Sequence, residues 1–421
     1  MSATARHSML APFQVRSFRF QWPADLLTSW GFEMESLILG WYILVETNSV
    51  LLLTIFASLQ YLGTLIAPVY GMAGDRLGHR NVLCAMRVVY AGLATTLMTL
   101  AFTSVLTPAY VFAIASLSGL VRPSDLAMRN ALVAETIPSD RLMSAMGVAR
   151  TTADSARIAG SIAGAGLFAA LGMGPAYVVI ACFYTGGFLL TLGVAGRRTK
   201  PYFAPGPSGA VRRPSMLRDL REGLAYVWDS PASLAAMWLA FLVNFTAFPL
   251  SNGLLPYVAR EIYRIDQTGL GYLVASFACG GLTGSIVVSL IARSIRPARM
   301  MLVFAVVWYC FLLVFVHMPT PTSGGAMLAL AGFAQSLSMI PMAVMLLHSA
   351  GAQFRGRVMG VRMLAVYGLP LGLLAAGSLI ERMGWPAAAT LFCVVGLGLT
   401  LAIGVRWRAD LWPVRAAANA R

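Results

Sequence analysis

Twelve long apolar stretches follow one another along this 421-residue chain, and they constrain its fold more than any other feature. A bilayer core about 30 Å thick is crossed by about 20 residues of α-helix, so each stretch is long enough to span a membrane once. The stretches also lack the in-and-out alternation of porin strands. They therefore predict an all-α polytopic membrane protein with twelve transmembrane helices. They run roughly over 24–46, 50–73, 82–103, 107–131, 143–171, 175–196, 232–257, 268–292, 298–318, 324–348, 357–381 and 385–406.

The composition agrees with a chain that lies almost entirely in a lipid bilayer. It is 58% hydrophobic and 11% charged, whereas soluble proteins are roughly 45–50% apolar and about 25% charged. No long charged block separates the apolar stretches, so the sequence predicts no sizeable soluble domain. The N-terminus lacks a short apolar core followed by a small-residue cleavage site, and we expect no removable signal peptide there.

Residue patterns of enzymes and of metal or cofactor sites are missing from the sequence. It contains no HExxH motif, no GxxxxGK phosphate loop and no Ser/His/Asp set, and it has only four histidines. The five cysteines lie within apolar stretches, without CxxC pairs or histidines at ligand spacing. We therefore predict no enzyme, no disulfide, no metal site and no cofactor.

The charged residues form short flanks beside the apolar stretches, although 31 basic and 16 acidic residues give a net charge of +15. No basic, aromatic-rich domain is present, so nucleic acid is not an expected partner. Basic residues accumulate on the cytoplasmic side of membrane proteins. The connections after every second span hold Arg76, Arg80, Arg141, Arg197, Arg198, Lys200, Arg212, Arg213, Arg293, Arg296, Arg355 and Arg357, and the opposite side holds only Arg260, Arg264 and Arg382. We therefore expect both termini in the cytoplasm.

An internal repeat divides the chain into two halves. Met146-Gly147-Val148 recurs as Met359-Gly360-Val361, and Gly164 and Gly377 lie at the same offset of 213 positions. Parallel six-span halves of this kind predict two pseudo-symmetric six-helix bundles. The predicted domains are a cytoplasmic N-terminal lead (1–22), a first bundle (23–196), a cytoplasmic linker (197–231), a second bundle (232–407) and a cytoplasmic tail (408–421).

The linker has two parts of different character. Residues 200–209 are rich in Pro and Gly, and a partly ordered, solvated loop explains them well. Leu217, Leu220, Leu224 and Trp228 follow at helical spacing in a basic segment. This second part predicts an amphipathic helix lying on the anionic surface of the membrane.

The connection after the second span carries a family resemblance. It reads Gly71-Met-Ala-Gly-Asp75-Arg76-Leu-Gly78-His-Arg80 and resembles the signature loop of the major facilitator superfamily. Five further segments resemble the bacterial subfamily of enterobactin exporters and macrolide-efflux-like proteins. They are Ser17-Phe18-Arg19, Ser29-Trp30-Gly31, the stretch from Arg122-Pro123 to Asn130-Ala131-Leu132 before Ile137-Pro138, Glu222-Gly223-Leu224, and Arg355-Gly356-Arg357-Val358-Met359-Gly360. The resemblance implies the major facilitator fold, export of a small molecule by alternating access, the bacterial inner membrane and a monomer.

Two patterns of the superfamily are altered in this chain. Where the second half is expected to repeat the signature loop, it reads Ala292-Arg293-Ser294-Ile295-Arg296 and has lost the acid. Gly160, Gly164 and Gly166 resemble the antiporter motif of drug exporters without its proline. Transport therefore has broader support than antiport.

The signature loop predicts a gating motif. Its glycines permit a tight turn between helices, and Asp75 can interact with a helix N-terminus or with arginines. The resemblance implies that the loop meets the start of span 11 and closes the cytoplasmic side in one state. The alternative is an ordinary basic loop in which Asp75 caps a helix. The residues of the motif are Gly71, Asp75, Arg76, Gly78, Arg80, Arg355 and Arg357.

Ionisable residues lie within three spans of the first half. Such residues are costly in a bilayer core and mark substrate pathways, proton relays or buried ion pairs. The candidates for proton coupling or a substrate cavity are Glu33 and Glu35 in span 1, Arg122 and Asp125 in span 4, and Asp154 and Arg157 in span 5. Because spans 4 and 5 are antiparallel and each carries an Arg-Asp-Arg stripe, we expect crosswise ion pairs, Arg122 with Asp154, and Asp125 with Arg150 or Arg157.

The two glutamates of span 1 point roughly 200° apart on an ideal helix, so one of them is expected to face a cavity. Glu33 is the better candidate because Asp25, Ser29 and Ser36 share its face. A protonatable Glu33 whose charge is tuned by Arg122 can couple proton binding to substrate binding. A static ion-pair network between spans 4 and 5 explains the same residues equally well.

The second half is more apolar, and its candidate cavity residues are Asn244, Gln335 and Tyr367. Such a wall, rich in Met and Phe, suits an amphipathic substrate. The leading hypothesis is proton-coupled antiport that exports an amphipathic small molecule. The alternatives are an importer or lipid transporter of the same fold, and a membrane receptor or scaffold without transport activity.

Overall fold

The computed structural model describes residues 11–64, 66–195, 216–291, 296–349 and 355–412, and within these ranges the regular structure is entirely helical. A 3₁₀ turn over Ala11–Gln14 precedes the first long helix. The first half contains α1 (Arg16–Thr47), α2 (Val50–Leu59), α3 (Ala67–Leu77), α4 (His79–Phe102), α5 (Pro108–Thr136), α6 (Ser139–Leu171) and α7 (Met173–Leu192), with a 3₁₀ turn over Leu62–Thr64.

The second half begins with the helix that follows the linker. Two π-helical segments, Pro249–Gly253 and Val258–Ile262, interrupt the chain after α9. The helices are α8 (Met216–Asp229), α9 (Pro231–Thr246), α10 (Leu255–Tyr257), α11 (Gln267–Ile291), α12 (Pro297–Val316), α13 (Pro321–Ser349), α14 (Arg355–Ala365), α15 (Gly368–Met383), α16 (Trp385–Arg406) and α17 (Arg408–Leu411).

Nine described helices are long and apolar enough to cross a membrane, and the pair α2 and α3 makes ten if it forms one broken span. Helices α1 and α6 are also long enough, with 32 and 33 residues. They are less apolar because they carry Asp25, Glu33, Glu35, Arg150, Asp154 and Arg157. These two helices coincide with the first and fifth predicted spans. The predicted fold class, an all-α polytopic membrane protein, is confirmed.

The described helices form two compact units. One contains the residues up to 195 together with Ala259–Ala275, and the other contains 216–258 and the residues from Ser276 onward. In the first unit α1 packs against α6 and α7, and α4 packs against α7. In the second unit α12 packs against α13 and α16, and α9 packs against α15. The domain boundaries expected from the sequence stay a prediction.

A single glycine joins consecutive helices at corresponding places in the two units. Gly172, with φ +81°, ends α6 and begins α7, and Gly384, with φ +79°, ends α15 and begins α16. A left-handed backbone of this kind costs an L side chain about 1–2 kcal/mol and costs glycine almost nothing. The shared junction agrees with the two-fold repeat expected from the sequence.

A second pair of glycines brings helix backbones into direct contact at corresponding crossings. A Cβ atom on Gly119 of α5 would lie 2.0 Å from the carbonyl oxygen of Leu59 in α2. One on Gly332 of α13 would lie 2.1 Å from the carbonyl oxygen of Phe277 in α11. Gly119 and Gly332 are 213 positions apart, the same offset as the Met-Gly-Val repeat. Small residues at such crossings let membrane helices pack at short distance.

Helix α8 occupies the predicted amphipathic segment of the linker. Its Val227 is buried, whereas Leu224 and Trp228 are 49% and 66% exposed. Exposed apolar side chains on an otherwise polar helix are what a membrane-surface helix requires. The side chains of Leu217 and Leu220 lie outside the described residues, and the interfacial role of α8 stays a prediction.

Candidate functional site

A buried ion pair joins α1 to α4 in the first unit. Arg87 of α4 is fully buried, and its Nη2 atom contacts Oδ1 of Asp25 in α1. The Nη1 atom of the same guanidinium donates to the hydroxyl of Thr191 and, at 3.1 Å, to the carbonyl oxygen of Gly187, both in α7. Arg87 therefore links three helices, and the acceptors around it offset the cost of burying its charge.

A second buried pair lies beside the first. Asp125 and Arg129, one turn apart in α5, form an ion pair and are 2% and 8% exposed. Arg129 also reaches α1, where its Nη1 donates to the carbonyl oxygen of Asp25 at 3.1 Å and to Oγ of Ser29 at 2.8 Å. Its Nε lies 3.6 Å from Oδ1 of Asp25. Asp25 is therefore shared between two arginines.

A pocket of about 190 Å³ opens beside these pairs, bounded by α1, α5 and α6. Its lining combines charged and polar side chains with aromatic and aliphatic ones. Trp22 of α1 closes one side by donating from Nε1 to Oγ1 of Thr152 in α6 at 2.8 Å. The lining consists of Phe18, Trp22, Asp25, Ser29, Phe32, Arg122, Asp125, Leu126, Arg129, Asn130, Val133, Ala149, Thr152 and Ala153.

Arg122 lines the same pocket with neutral partners. Its Nη1 donates to Oε1 of Gln60 at 2.7 Å, and its Nη2 donates to the carbonyl oxygen of Phe32 at 2.7 Å. The guanidinium carbon lies 4.2 Å from the centre of the Phe32 ring, a cation–π distance. Gln60 also accepts a hydrogen bond from Ser36 of α1 at 3.1 Å. Arg122 thus connects α5 to α1 and to the end of α2.

Glu35 is the more deeply buried of the two predicted glutamates. It is 5% exposed and accepts a 2.8 Å hydrogen bond from the hydroxyl of Tyr184 in α7. Arg122 is near enough to interact with it electrostatically. A Cβ atom on Gly31, one turn earlier in α1, would lie 2.7 Å from the Tyr184 ring, so glycine is needed there to admit the tyrosine.

Glu33 lies on another face of α1, half-buried and directed at α6. A Cβ atom on Gly160 of α6 would lie 3.0 Å from Cβ of Glu33. Tyr61 lies within electrostatic range of Glu33, Arg122 and Arg157. The structure therefore brings Glu33, Arg122 and Arg157 together around Tyr61. The fourth predicted residue, Asp125, lies in the ion pair with Arg129.

The predicted crosswise pairs between spans 4 and 5 are wrong. Asp154 pairs with Arg150, one turn away in α6, at 3.2 Å. Asp125 pairs with Arg129 within α5. The i, i+4 spacing lets each carboxylate find an arginine on its own helix without a long reach between helices. Arg122, left without Asp154, bonds to Gln60 instead.

Sequence reasoning missed three residues of this cluster. Arg87 is an ionisable residue inside the apolar stretch 82–103, a signal equal to those in the neighbouring spans. Gln60 and Tyr184 carry no comparable signal, because a single amide or tyrosine in a membrane helix is common. Only the packing of α2 and α7 against α1 and α5 reveals their contacts with Arg122 and Glu35.

The signature loop forms a compact turn between α3 and α4. Gly78, with φ +88°, ends α3 and begins α4. Arg80 donates to the carbonyl oxygens of Leu192 at 2.5 Å and Thr191 at 3.4 Å, at the end of α7. The residues Gly71, Asp75 and Arg76 precede the turn in α3, and both charged side chains are exposed. Beside the loop, Nδ1 of His79 lies 2.6 Å from Oε1 of Glu135 in α5.

Three of the remaining predicted residues lie in the second unit, and the side chains of the other two lie outside the described residues. Asn244 donates to the carbonyl oxygen of Ala240 at 2.8 Å, one turn earlier in α9. Gln335 lies in α13 near Gly281 of α11. Tyr367 directly precedes α15. The side chains of Arg355 and Arg357 lie outside the described residues, so their part in the gating motif stays a prediction.

Solved structures of transporters share this fold. Over 94% of this chain and 98% of the other, the POT family transporter PepTSo superposes with a TM-score of 0.73 at 12% identity. The nucleoside transporter NupG covers 94% of this chain and 100% of its own, with a TM-score of 0.67 at 15% identity. The human organic anion transporter MFSD10 covers 92% of this chain and 99% of its own, with a TM-score of 0.64 at 18% identity.

Sequence comparison assigns the family. No curated protein matches the chain. A family model does match, described as the Major Facilitator Superfamily, and it covers residues 22–370. That range includes the signature loop, the charged cluster of the first unit and the predicted cavity residues of the second. The chain therefore belongs to the major facilitator superfamily, and it is a multi-pass membrane protein of a transporter family.

Proposed function

We propose that this protein is a secondary active transporter that exports an amphipathic small molecule by alternating access, in antiport with protons. The observation that carries the proposal is the buried carboxylate of Glu35, which the Tyr184 hydroxyl holds at 2.8 Å within a membrane-spanning unit. Ionisable groups inside membrane spans are expensive to bury and mark ion pathways. Arg122, which interacts with Glu35 and lines a pocket, connects that carboxylate to a place where substrate can bind.

Two carboxylates are candidates for the coupling residue. Glu33 is favoured by its polar face on α1, and Glu35 is favoured by its burial, its hydrogen bond to Tyr184 and its proximity to Arg122. A coupling carboxylate must change its protonation state during the cycle, and a buried position makes that change sensitive to the charge of a neighbour. We assign the coupling role to Glu35 and keep Glu33 as the second candidate.

The remaining features of the proposal follow from the sequence. Basic flanks support cytoplasmic termini in a bacterial inner membrane, and the resemblance to enterobactin and macrolide exporters supports outward transport by a monomer. The signature loop, with Arg355 and Arg357 at the start of α14, is proposed to act as the cytoplasmic gate. Asn244, Gln335 and Tyr367 are proposed to face the substrate from the second unit.

The test is transport in inside-out membrane vesicles with an imposed pH gradient. We would measure accumulation of radiolabelled 4-phenylbutyrate and 4-phenylbutylamine, which share an apolar body and differ in charge. The proposal expects accumulation of at least one probe that collapses with the gradient, is lost in Glu35→Gln and persists in Glu33→Gln. Gradient-dependent accumulation that is lost only in Glu33→Gln would move the coupling role to Glu33. Accumulation indifferent to the gradient would exclude proton antiport.

Two other functions give different results in the same preparation. An importer or lipid transporter of this fold would move the probe, or a fluorescent lysolipid, in the opposite direction. A receptor or scaffold would bind a probe without moving it. Transport in right-side-out and inside-out vesicles, compared with binding to the purified protein, separates the three.

A further inference from the structure

Arg122 contributes a positive charge to the pocket of the first unit, and its contacts there are with neutral groups. Within the described ranges its hydrogen-bond acceptors are the amide of Gln60 and the backbone of Phe32, and no carboxylate lies at ion-pair distance. The other arginines of the cluster have carboxylate partners: Arg87 contacts Asp25, and Arg129 contacts Asp125. Both carboxylates of the lining, Asp25 and Asp125, therefore contact arginines other than Arg122, and Arg122 is the lining arginine that no carboxylate contacts within the described residues.

Two further carboxylates lie near Arg122 without satisfying it. Glu35 already accepts a hydrogen bond from Tyr184, and Glu33 is directed at α6 beside Gly160. Glu35 interacts with Arg122 electrostatically without contacting it, and Glu33 and Arg122 both lie within electrostatic range of Tyr61. An anion that touches the guanidinium of Arg122 directly would interact with it more strongly.

A second donor borders the same pocket. Arg129 is 8% exposed, and its Nη2 atom has no acceptor among the described residues. Asn130 and Ser29 add neutral polar groups to the lining, and the rings of Phe18, Trp22 and Phe32 provide apolar surface. A lining that combines charged donors with aromatic rings suits a ligand with an anionic head and a ring.

We propose that this pocket binds an organic anion, whose carboxylate contacts Arg122 and whose ring lies against Phe32 and its aromatic neighbours. This inference rests on the proposed function, of which it specifies the substrate class. A pocket of about 190 Å³ is smaller than the roughly 300–1,000 Å³ of drug-sized sites. It therefore accommodates the head and one ring of a substrate, not a whole large molecule.

An organic cation fits the same lining poorly. Asp25 and Asp125 are the carboxylates of the pocket, and arginines already contact both of them. A cation would have to displace an arginine from one of these buried pairs, which is strongly unfavourable because it leaves a buried charge without its partner. It would also approach the unpaired charge of Arg122. An anion meets neither obstacle.

The test is equilibrium dialysis of the purified full-length protein in detergent with three radiolabelled probes of matched body: 4-phenylbutyrate, 4-phenylbutylamine and the neutral 4-phenylbutanamide. We expect saturable binding of the carboxylate at millimolar concentration or below, and weaker binding of the other two. Arg122→Gln, which keeps an amide donor and removes the charge, should weaken carboxylate binding about tenfold or more. Arg122→Lys should restore a large part of it, and Arg150→Gln, whose exposed side chain lies outside the pocket, should leave it unchanged.

Three results would overturn the proposal: equal binding of all three probes, tighter binding of the amine, or carboxylate binding that survives Arg122→Gln. Loss of binding through misfolding is distinguished by Arg122→Lys and by the elution profile of each variant in size-exclusion chromatography. The proposed function fails separately. Anion binding without pH-dependent movement in vesicles would support the organic-anion site and exclude proton antiport. Transport of the amine alone, driven by the pH gradient, would support proton antiport and exclude the organic-anion site.

Discussion

The hydroxyl of Tyr184 donates a 2.8 Å hydrogen bond to Oε2 of Glu35, and both residues are buried within the first unit. Tyr184 stands in α7 against Gly31, so its position is set by the packing of α7 on α1. A hydrogen bond to a carboxylate is stronger than one between neutral groups. The packing of α7 on α1 therefore determines the hydrogen bond that Glu35, the proposed coupling residue, receives.

Tyr184→Phe should destabilise the protein while leaving Glu35 in place. Because a buried carboxylate loses a donor, we expect the free energy of unfolding to fall by about 1–3 kcal/mol. Thermal unfolding in detergent, followed by intrinsic fluorescence, measures the change. Tyr42→Phe, whose hydroxyl donates to the backbone of Leu106 in a less buried setting, is the control and should have a smaller effect. An unfolding midpoint equal to that of the wild type would show that the hydrogen bond contributes nothing.

The Asp25–Arg87 pair should behave as a buried salt bridge. Arg87→Gln leaves Asp25 without its main partner, and we expect a loss of about 3–5 kcal/mol in the free energy of unfolding. The double variant Asp25→Asn with Arg87→Gln carries no unpaired charge and should recover much of that loss. The pair for comparison is Arg150–Asp154, whose arginine side chain is 67% exposed and whose carboxylate side chain is 18% exposed. Arg150→Gln should cost about 0–1 kcal/mol. Equal losses in Arg87→Gln and in the double variant would contradict this account.

The sequence predicted the membrane architecture well because hydropathy, basic flanks and the internal repeat each report on it separately. The repeat offset of 213 positions returns in the structure as the Gly119 and Gly332 crossings. The division of the second span into α2 and α3 was not predicted. The apolar run of this span passes through the 3₁₀ turn at Leu62–Thr64, so its hydropathy does not indicate where α2 ends and α3 begins.

The pairing of charges was predicted less well, for a physical reason. Spacing along one helix fixes which residues share a face, but it does not fix how far two helices are shifted or rotated against each other. Arg122 and Asp154 share a pattern and a depth in the sequence, yet the structure gives Arg122 to Gln60 and Asp154 to Arg150. Arg87 is the single ionisable residue deep in its span, so the sequence around it offers no charge pattern that indicates a partner.

Substitutions at the two glycine crossings should be costly in both units. A methyl group on Gly119 or Gly332 would meet a backbone carbonyl near 2 Å, and the helices must separate to admit it. We expect Gly119→Ala and Gly332→Ala each to lower the free energy of unfolding by about 1–3 kcal/mol. The matched control is Gly166→Ala in α6, where no atom lies within 4 Å. That change should be neutral or stabilising by up to about 1 kcal/mol, since alanine is the better helix former. Thermal unfolding measures all three, and a stable Gly119→Ala would argue against close contact between α2 and α5.

Two arginines of the signature loop should differ in their contribution to stability. Arg80 donates to the carbonyl oxygens of Thr191 and Leu192 at the C-terminal end of α7, where a positive charge also favours the helix dipole. Arg76 is exposed, and within the described residues its side chain has no hydrogen-bond partner. We expect Arg80→Ala to lower the free energy of unfolding by about 1–2 kcal/mol, and Arg76→Ala to change it by less than about 0.5 kcal/mol.

The same two variants separate a structural role from a gating role. If the loop acts as a gate, Arg76→Ala should reduce transport in vesicles without a change in the unfolding midpoint, because its effect requires a contact made only during the cycle. Arg80→Ala should change both. Wild-type transport by Arg76→Ala would argue against a gating role for Arg76. The loop would then have only a structural role, in which Arg80 holds the start of α4 against the end of α7.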